Sequence, residues 1–253
     1  MGFFCGSQKA ESRLAMDLSS LPVGEPEDLV RELTPRLKAS RSVEEACGVL
    51  AGSLYERCLS GGARSLVLSR IYLSLPHSAL DPGSVQFARE RFGLSPLATD
   101  VFLALMATAG DRPAWCDRRE SQGHRAIPLN RQTVATVPML ARCFQQIGFN
   151  LDLVLAAEKG IHLEGVPSAF GLFHVEEALG SPFVPAQDDF VRPCGVRSVV
   201  GCGTMLPNGA VSIWIGFSRH PIALRAATPL IAMMPAFWHV AQPLYRRRTY
   251  FAG

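Results

Sequence analysis

Lysine is nearly missing from this chain: of 25 basic residues, only Lys9, Lys38 and Lys159 are lysine and the rest are arginine. The skew fits a GC-rich bacterial genome, and it supplies many planar, bidentate donors suited to carboxylate and phosphate partners. A strong net charge is also missing. At +3, with no basic helix interleaved with stacking aromatics, nothing argues for nucleic acid as a partner. The seven cysteines, at 5, 47, 58, 116, 143, 194 and 202, are odd in number and include no CxxC pair, so neither a disulfide framework nor a zinc ribbon is suggested. Cys47, Cys58 and Cys143 lie in apolar, helix-like patterns and read as small core hydrophobes. This usage fits a reducing cytoplasm. His124, His162, His174 and His220 lack HxH or HxxxH spacing, so a zinc site has no support.

Nor is there an uninterrupted apolar run of membrane length. Residues 226–245, "AATPLIAMMPAFWHVAQPLY", carry no charge, but Pro229, Pro235, Pro243, His239 and Gln242 break the run. A kinked helix, buried or at a dimer seam, is expected rather than a span. The N-terminal "MGFFCGSQ" has glycine at position 6 where a myristoylation signal requires serine or threonine, and its apolar stretch is too short for a secretory signal.

What is there is enough for a core: 48% hydrophobic against 19% charged residues over 253 positions. Residues 1–24 read as a flexible tail, 25–248 as one domain, and 249–253 as a second tail. Ser42 followed by Glu45 has capping-box spacing, and Val43, Ala46, Cys47, Leu50 and Leu54 recur at helical intervals, with Gly61-Gly62 as the stop. Strands are predicted over 63–76, over "DVFLALMATAG" (100–110), within "HRAIPL" and over "GLFHVEEA". A short helix is predicted over "PGSVQFARERFG". Residues 131–158 read as one helix or as two broken near Gly148. "SPFVPAQDDFVRPCG" reads as loop and helical turn. Two apolar runs around Pro207-Asn208-Gly209 specify a β-hairpin, and a closing helix follows from about 222 to 246. The fold class is therefore α+β, with a mostly antiparallel sheet and helices packed on it.

The chemistry-bearing residues concentrate in "AGDRPAWCDRRESQGHRAIPLN", 109–130. Arg118, Arg119 and Arg125, with the Trp115 indole and the His124 ring, could clamp a carboxylate or phosphate. Equally, the arginines could pair with Asp111, Asp117 and Glu120 on the surface. Cys116, eight residues before His124, is a candidate nucleophile if the two meet in space. His162 or His174 could hold a haem iron, and Cys194 and Cys202 flank a strand start. Arg197 could face a pocket or pair with Glu176 or Asp188.

"GVRSVVGCGTMLPNGAVSIWIGFS" resembles the paired last strands of GAF-domain sensory proteins, entered through a Val-Arg-Ser step. The preceding helix, the strand at 100–110 and the closing helix follow the same order. The resemblance implies a GAF-like sheet with long N- and C-terminal helices and a small-molecule pocket between sheet and helices. It further implies homodimerisation through the terminal helices and a signalling partner such as a kinase or regulator, with no output region following residue 246. The cyclic-nucleotide NKFDE-like motif and the bilin-type Cys-His dipeptide are absent, as is the compact cysteine pattern of GAF-like enzymes that reduce free methionine sulfoxide. The expected function is a cytoplasmic sensory or regulatory domain that binds a small, anionic molecule through Trp115, Arg118, His124 and Arg125, with His174 and Arg197 from the other wall. The alternatives are an enzyme acting through Cys116 or His124, a haem-binding gas or redox sensor, and a ligand-free dimerising scaffold. The cofactor is unknown, with haem the one candidate.

Overall fold

A computed structural model describes residues 15–93, 100–158 and 169–252. Its first elements are a short strand β1 (Met16–Asp17) and two helices, α1 (Glu25–Ala39) and α2 (Val43–Arg57). Residues 15–24, expected to belong to a flexible tail, are instead packed. Met16, Leu18 and Leu21 are buried, because β1 pairs with β2 (Cys58–Ser60). Helix α2 starts as its sequence predicts: the Ser42 hydroxyl accepts from the Glu45 amide, and the Glu45 carboxylate accepts from the Arg41 amide. It ends at Arg57, earlier than expected. The Gly61-Gly62 pair turns β2 into β3 (Ala63–Arg64) rather than terminating a helix.

The main sheet has six strands: β4 (Leu66–Pro76), β5 (Val101–Gly110), β6 (Ala126–Pro128), β7 (Phe170–Val175), β8 (Ser198–Met205) and β9 (Val211–Ser218). Their spatial order is β6-β5-β4-β9-β8-β7, and every neighbouring pair is antiparallel. The α+β expectation holds, and the β8–β9 hairpin turns at Pro207-Asn208-Gly209 as read. Helix α3 (Pro82–Phe92) lies between β4 and β5, capped by Asp81 at its start and Gly93 at its end. The span 131–158 breaks twice, at Pro138 and after Gly148, into α4 (Arg131–Thr136), α5 (Pro138–Ile147) and α6 (Leu151–Glu158). Proline has no N–H to donate at an interior turn, so it opens α5 instead of sitting within a longer helix. A π-helical turn at Gln187–Val191 runs into α7 (Arg192–Cys194). Residues 222–246 likewise divide, into α8 (Leu224–Ala227), a 3-10 turn around Pro229 and α9 (Met233–Arg246).

Period-two alternation sorts the strand side chains to two faces. Ile71, Leu73, Leu75, Val200, Cys202 and Trp214 join Leu33, Leu50, Phe237 and Trp238 in a core beneath α1, α2 and α9. The Trp214 indole donates to the Ser69 hydroxyl at 3.0 Å, so the largest buried side chain leaves no polar atom unpaired. The uncharged helix is thus mainly core. Phe237, Trp238 and Ala241 are buried within this chain, and none of the large exposed apolar residues lies on α9. No described helix is long and apolar enough to cross a membrane. On the opposite face Leu68, Tyr72, Leu103, Leu105, Ile213, Ile215 and Phe217 pack against α5 and the turn at Val191.

Candidate functional site

The β5–β6 connection, residues 111–125, is held at its start. Asp111 accepts from the Tyr55 hydroxyl of α2 at 2.7 Å and is ion-paired with Arg219 beyond β9. Two 3-10 turns follow, Pro113–Trp115 and Arg118–Glu120. From there the side chains separate to two sides of the sheet.

Arg118 and Arg125 turn toward the N-termini of α2 and α3. Arg118 is only 6% exposed. Its guanidinium donates to both Glu44 oxygens, at 2.7 and 3.4 Å, and to Asp81 at 2.9 Å. Its carbon lies 4.4 Å from the centre of the Phe251 ring. Arg125 donates to the other Asp81 oxygen at 2.8 Å and to the Ser84 hydroxyl at 3.2 Å. The expected pairing with acids of the loop itself holds for Arg119, which pairs with Asp117, but not for these two. They are committed to Asp81 and Glu44, far outside the loop in sequence, instead of standing open as an anion rim.

Burial alone would raise the Asp81 carboxyl, but the Ser84 hydroxyl and the Arg118 guanidinium outweigh it and hold it at about 2. Its folded pKa lies below the ordinary 3.8. The stability it contributes is therefore full above pH 4 and lost as pH falls through the window between 4 and 2, with roughly 2 kcal/mol at stake. Urea denaturation at stepped pH should show this acid limb in the parent chain and a flatter profile in Asp81→Asn. An equally steep limb in the variant would place the acid sensitivity elsewhere.

Trp115 lies on the other side, packed against the core of the opposite face. Trp115 meets Phe190 edge-on, with ring centres 5.5 Å apart, and Phe190 meets Phe217 at 5.0 Å. The Trp115 carbonyl accepts from the Thr108 hydroxyl at 2.9 Å, and the Arg112 guanidinium sits 4.7 Å above its ring. Thr108 is the cross-strand partner of Arg70. Arg70 is the one charge in β4 and springs from the middle of the sheet, between Leu68 and Tyr72 on the apolar face. Its Nε is buried with no hydrogen-bond partner, and its Nη1 reaches the Tyr72 hydroxyl only at 3.5 Å. No carboxylate faces it among the described residues. His124 is exposed; desolvation of its ring, and then the Arg70 and Arg91 charges, push its pKa below the ordinary imidazole value.

A guanidinium whose buried Nε has no partner, and whose Nη1 makes only a long bond to the Tyr72 hydroxyl, retains donor capacity for an anion. Sequence reading found Trp115 and His124 but missed Arg70. The available signal was a lone arginine inside an otherwise uncharged strand run, "LVLSRIYLSLP".

The remaining candidates lie apart from this group. His174, on β7, offers one ring nitrogen to the Ile222 carbonyl at 2.6 Å, and its backbone is clasped by Gln146. That bond engages a nitrogen that an axial haem ligand would need. His162 lies outside the described residues. Arg197 is exposed and stands 4.0 Å from Glu177, not Glu176 or Asp188. Cys116 is exposed, and its thiol faces the carbonyl oxygens of Gly110 and Arg112, with no base among its hydrogen-bond partners. Cys194 accepts from Arg112 at 3.3 Å. Burial pushes the thiols of Cys47, Cys58, Cys143 and Cys202 up, away from the reactive thiolate. No group of three or more metal-ligating side chains occurs among the described residues.

No known family model matches the chain, and no curated protein matches it. Among solved structures it is similar to the X-ray structure of free methionine-R-sulfoxide reductase from Neisseria meningitidis in complex with its substrate. The identity is 14% and the TM-score 0.45, over 94% of this chain and 99% of that one. A likeness of this depth carries no argument about family or activity.

Proposed function

We propose that this chain is a GAF-like regulatory domain that binds a small anion on the sheet face at Arg70. The observation that carries the reading is the buried, unpartnered Nε of Arg70 at the centre of the sheet. Its unsatisfied N–H is a donor of the kind that pairs with an oxygen of a carboxylate or phosphate group. In this reading the Tyr72 hydroxyl supplies a neutral donor beside it, His124 of the loop supplies a second and Trp115 an apolar wall, while the Thr108 hydroxyl already donates to the Trp115 carbonyl. Arg118 and Arg125 position the loop from behind instead of touching the anion, and His174 and Arg197 stand outside the site.

The sensory role, the homodimer, the signalling partner and the cytoplasmic location belong to the same proposal and rest on the resemblance of the hairpin segment to GAF-domain proteins. Binding would act by shifting populations and would require no chemistry.

Thermal denaturation with sodium acetate and with inorganic phosphate tests the site. A saturating anion is expected to stabilise the parent chain, by about 2.7 kcal/mol at a hundredfold excess over Kd. Arg70→Met should lose the effect, and Arg70→Lys should retain part of it. An Arg70→Met variant stabilised as much as the parent would overturn the reading.

A further inference from the structure

Residues 249–252, expected to be a free tail, are docked. The amides of Val43 and Glu44, in the first turn of α2, donate to the Thr249 and Tyr250 carbonyls, both at 2.9 Å. These are donors that a helix start leaves without an intrahelical partner. The Ala252 amide donates to Glu44 at 2.9 Å. Phe251 lies under Arg118, and Tyr250 meets Tyr245 of α9 edge-on. The chain reverses from α9 into this strap at Arg248, whose φ of 56° is left-handed. For a residue with a Cβ that conformation costs about 1 kcal/mol, so the docked strap holds against a local strain that its release would relieve.

One loop touches both ends of this arrangement. Residues 118–125 are pinned by Arg118 and Arg125 to Asp81 and Glu44. The residue before Arg125 is His124, whose imidazole feels the Arg70 charge, and three residues before Arg118 is Trp115, whose carbonyl accepts from Thr108, the cross-strand partner of Arg70. Arg118, in the same loop, covers Phe251 and holds Glu44, so a movement of the loop toward Arg70 has a short covalent route to the strap.

We infer that the segment 249–252 is a strap whose docking on α2 is coupled, through the 111–125 loop, to occupancy of the Arg70 site. This regulation rests on the proposed anion-binding reading, and its mechanical part can be tested without any ligand. Amide hydrogen exchange on the full chain compares the parent with Phe251→Ala and Phe251→Tyr. Phe251→Ala is expected to speed exchange at Val43 and Glu44 by about tenfold, the equivalent of losing a desolvated cation–π contact. It should also speed exchange in the loop, at the amides of Trp115, Cys116, Glu120 and Ser121, whereas Phe251→Tyr keeps the ring and stays near the parent. Acceleration confined to Val43 and Glu44, or seen at neither group, overturns the coupling.

In a second arm, acetate is titrated into the parent and Phe251→Ala by calorimetry. A change in Kd of about threefold or more is expected, as sites coupled by around 1 kcal/mol show. Binding to both with the same Kd overturns the coupling while leaving the Arg70 site intact. Failure of both acetate and inorganic phosphate to bind the parent overturns the site reading, and with it the ligand-linked half of this inference.

Discussion

Arg118→Ala is expected to destabilise the fold by about 3 kcal/mol, the usual cost of removing one partner from a buried ionic group. Two carboxylates depend on this guanidinium. Glu44 would keep only the Ala252 amide, and Asp81 would keep Arg125, Ser84 and its capping bond. The Phe251 ring would lose the flat cation that covers it. In a domain of this size the melting temperature should fall by about 10 °C. Urea midpoints for Arg118→Ala, Glu44→Gln and the double variant measure the pair directly, and the double variant should cost less than the sum of the singles. A loss under about 0.5 kcal/mol would mean that the cluster behaves as a screened surface pair. Arg119→Ala is the internal contrast, since its partner Asp117 sits with it on the exposed part of the loop.

The second large effect is expected at Gly171, in β7. A Cβ built there would lie 2.8 Å from both the Cα and the carbonyl oxygen of Ile147. The obstacle is backbone at the end of α5, which no rotamer change can move aside. Gly203 on the neighbouring strand is tight as well, with the Ile147 and Phe149 side chains and the Ser212 carbonyl oxygen all at 3.0 Å. Glycine on adjacent strands lets α5 press directly on the sheet and seat Phe144, Ile147 and Phe149 in the second core. Gly171→Val must lift that helix, at a cost of about 3 kcal/mol from overpacking and lost contact. Gly48→Ala, on an exposed part of α2 with nothing near the added carbon, should instead gain about 0.5 kcal/mol or more through helix propensity. If Gly171→Val melted with the parent, α5 would not lie on β7 as described.

Much of the secondary structure was legible because its signals are local. The Ser42 cap, the Pro82 start and Gly93 end of α3, and the Asn208-Gly209 turn each act within four residues of chain. Breaks were harder to place. Pro138 and Pro229 were visible, yet whether a proline kinks a helix or begins a new one depends on what packs beside it. The glycines at 61 and 62 end a helix in one context and turn a hairpin in another. The hairpin was formed here because β1 offers β2 a partner.

The candidate site was legible only in part. Composition pointed to the 109–130 loop, and one of its residues, Trp115, packs toward the sheet through Phe190 and Phe217. The arginines that looked most like ligand-binding groups were instead drawn to Asp81 and Glu44. A guanidinium takes the carboxylates nearest in space, and those lie 37 and 74 residues away in the chain. Arg70 was passed over because one charge in a strand says nothing about its face or its partner.

By itself, then, the amino-acid order determined the α+β class, the hairpin, the caps and enough apolar residues for a core, since periodicity, turn chemistry and burial propensity are short-range. Only the tertiary structure decided that Arg118 and Arg125 are held by Asp81 and Glu44 and that the Arg70 Nε is buried without a partner. It also decided that residues 249–252 bind α2. Pairing of charges and docking of a strap depend on groups brought together across the sheet, and no spacing within the chain encodes that meeting.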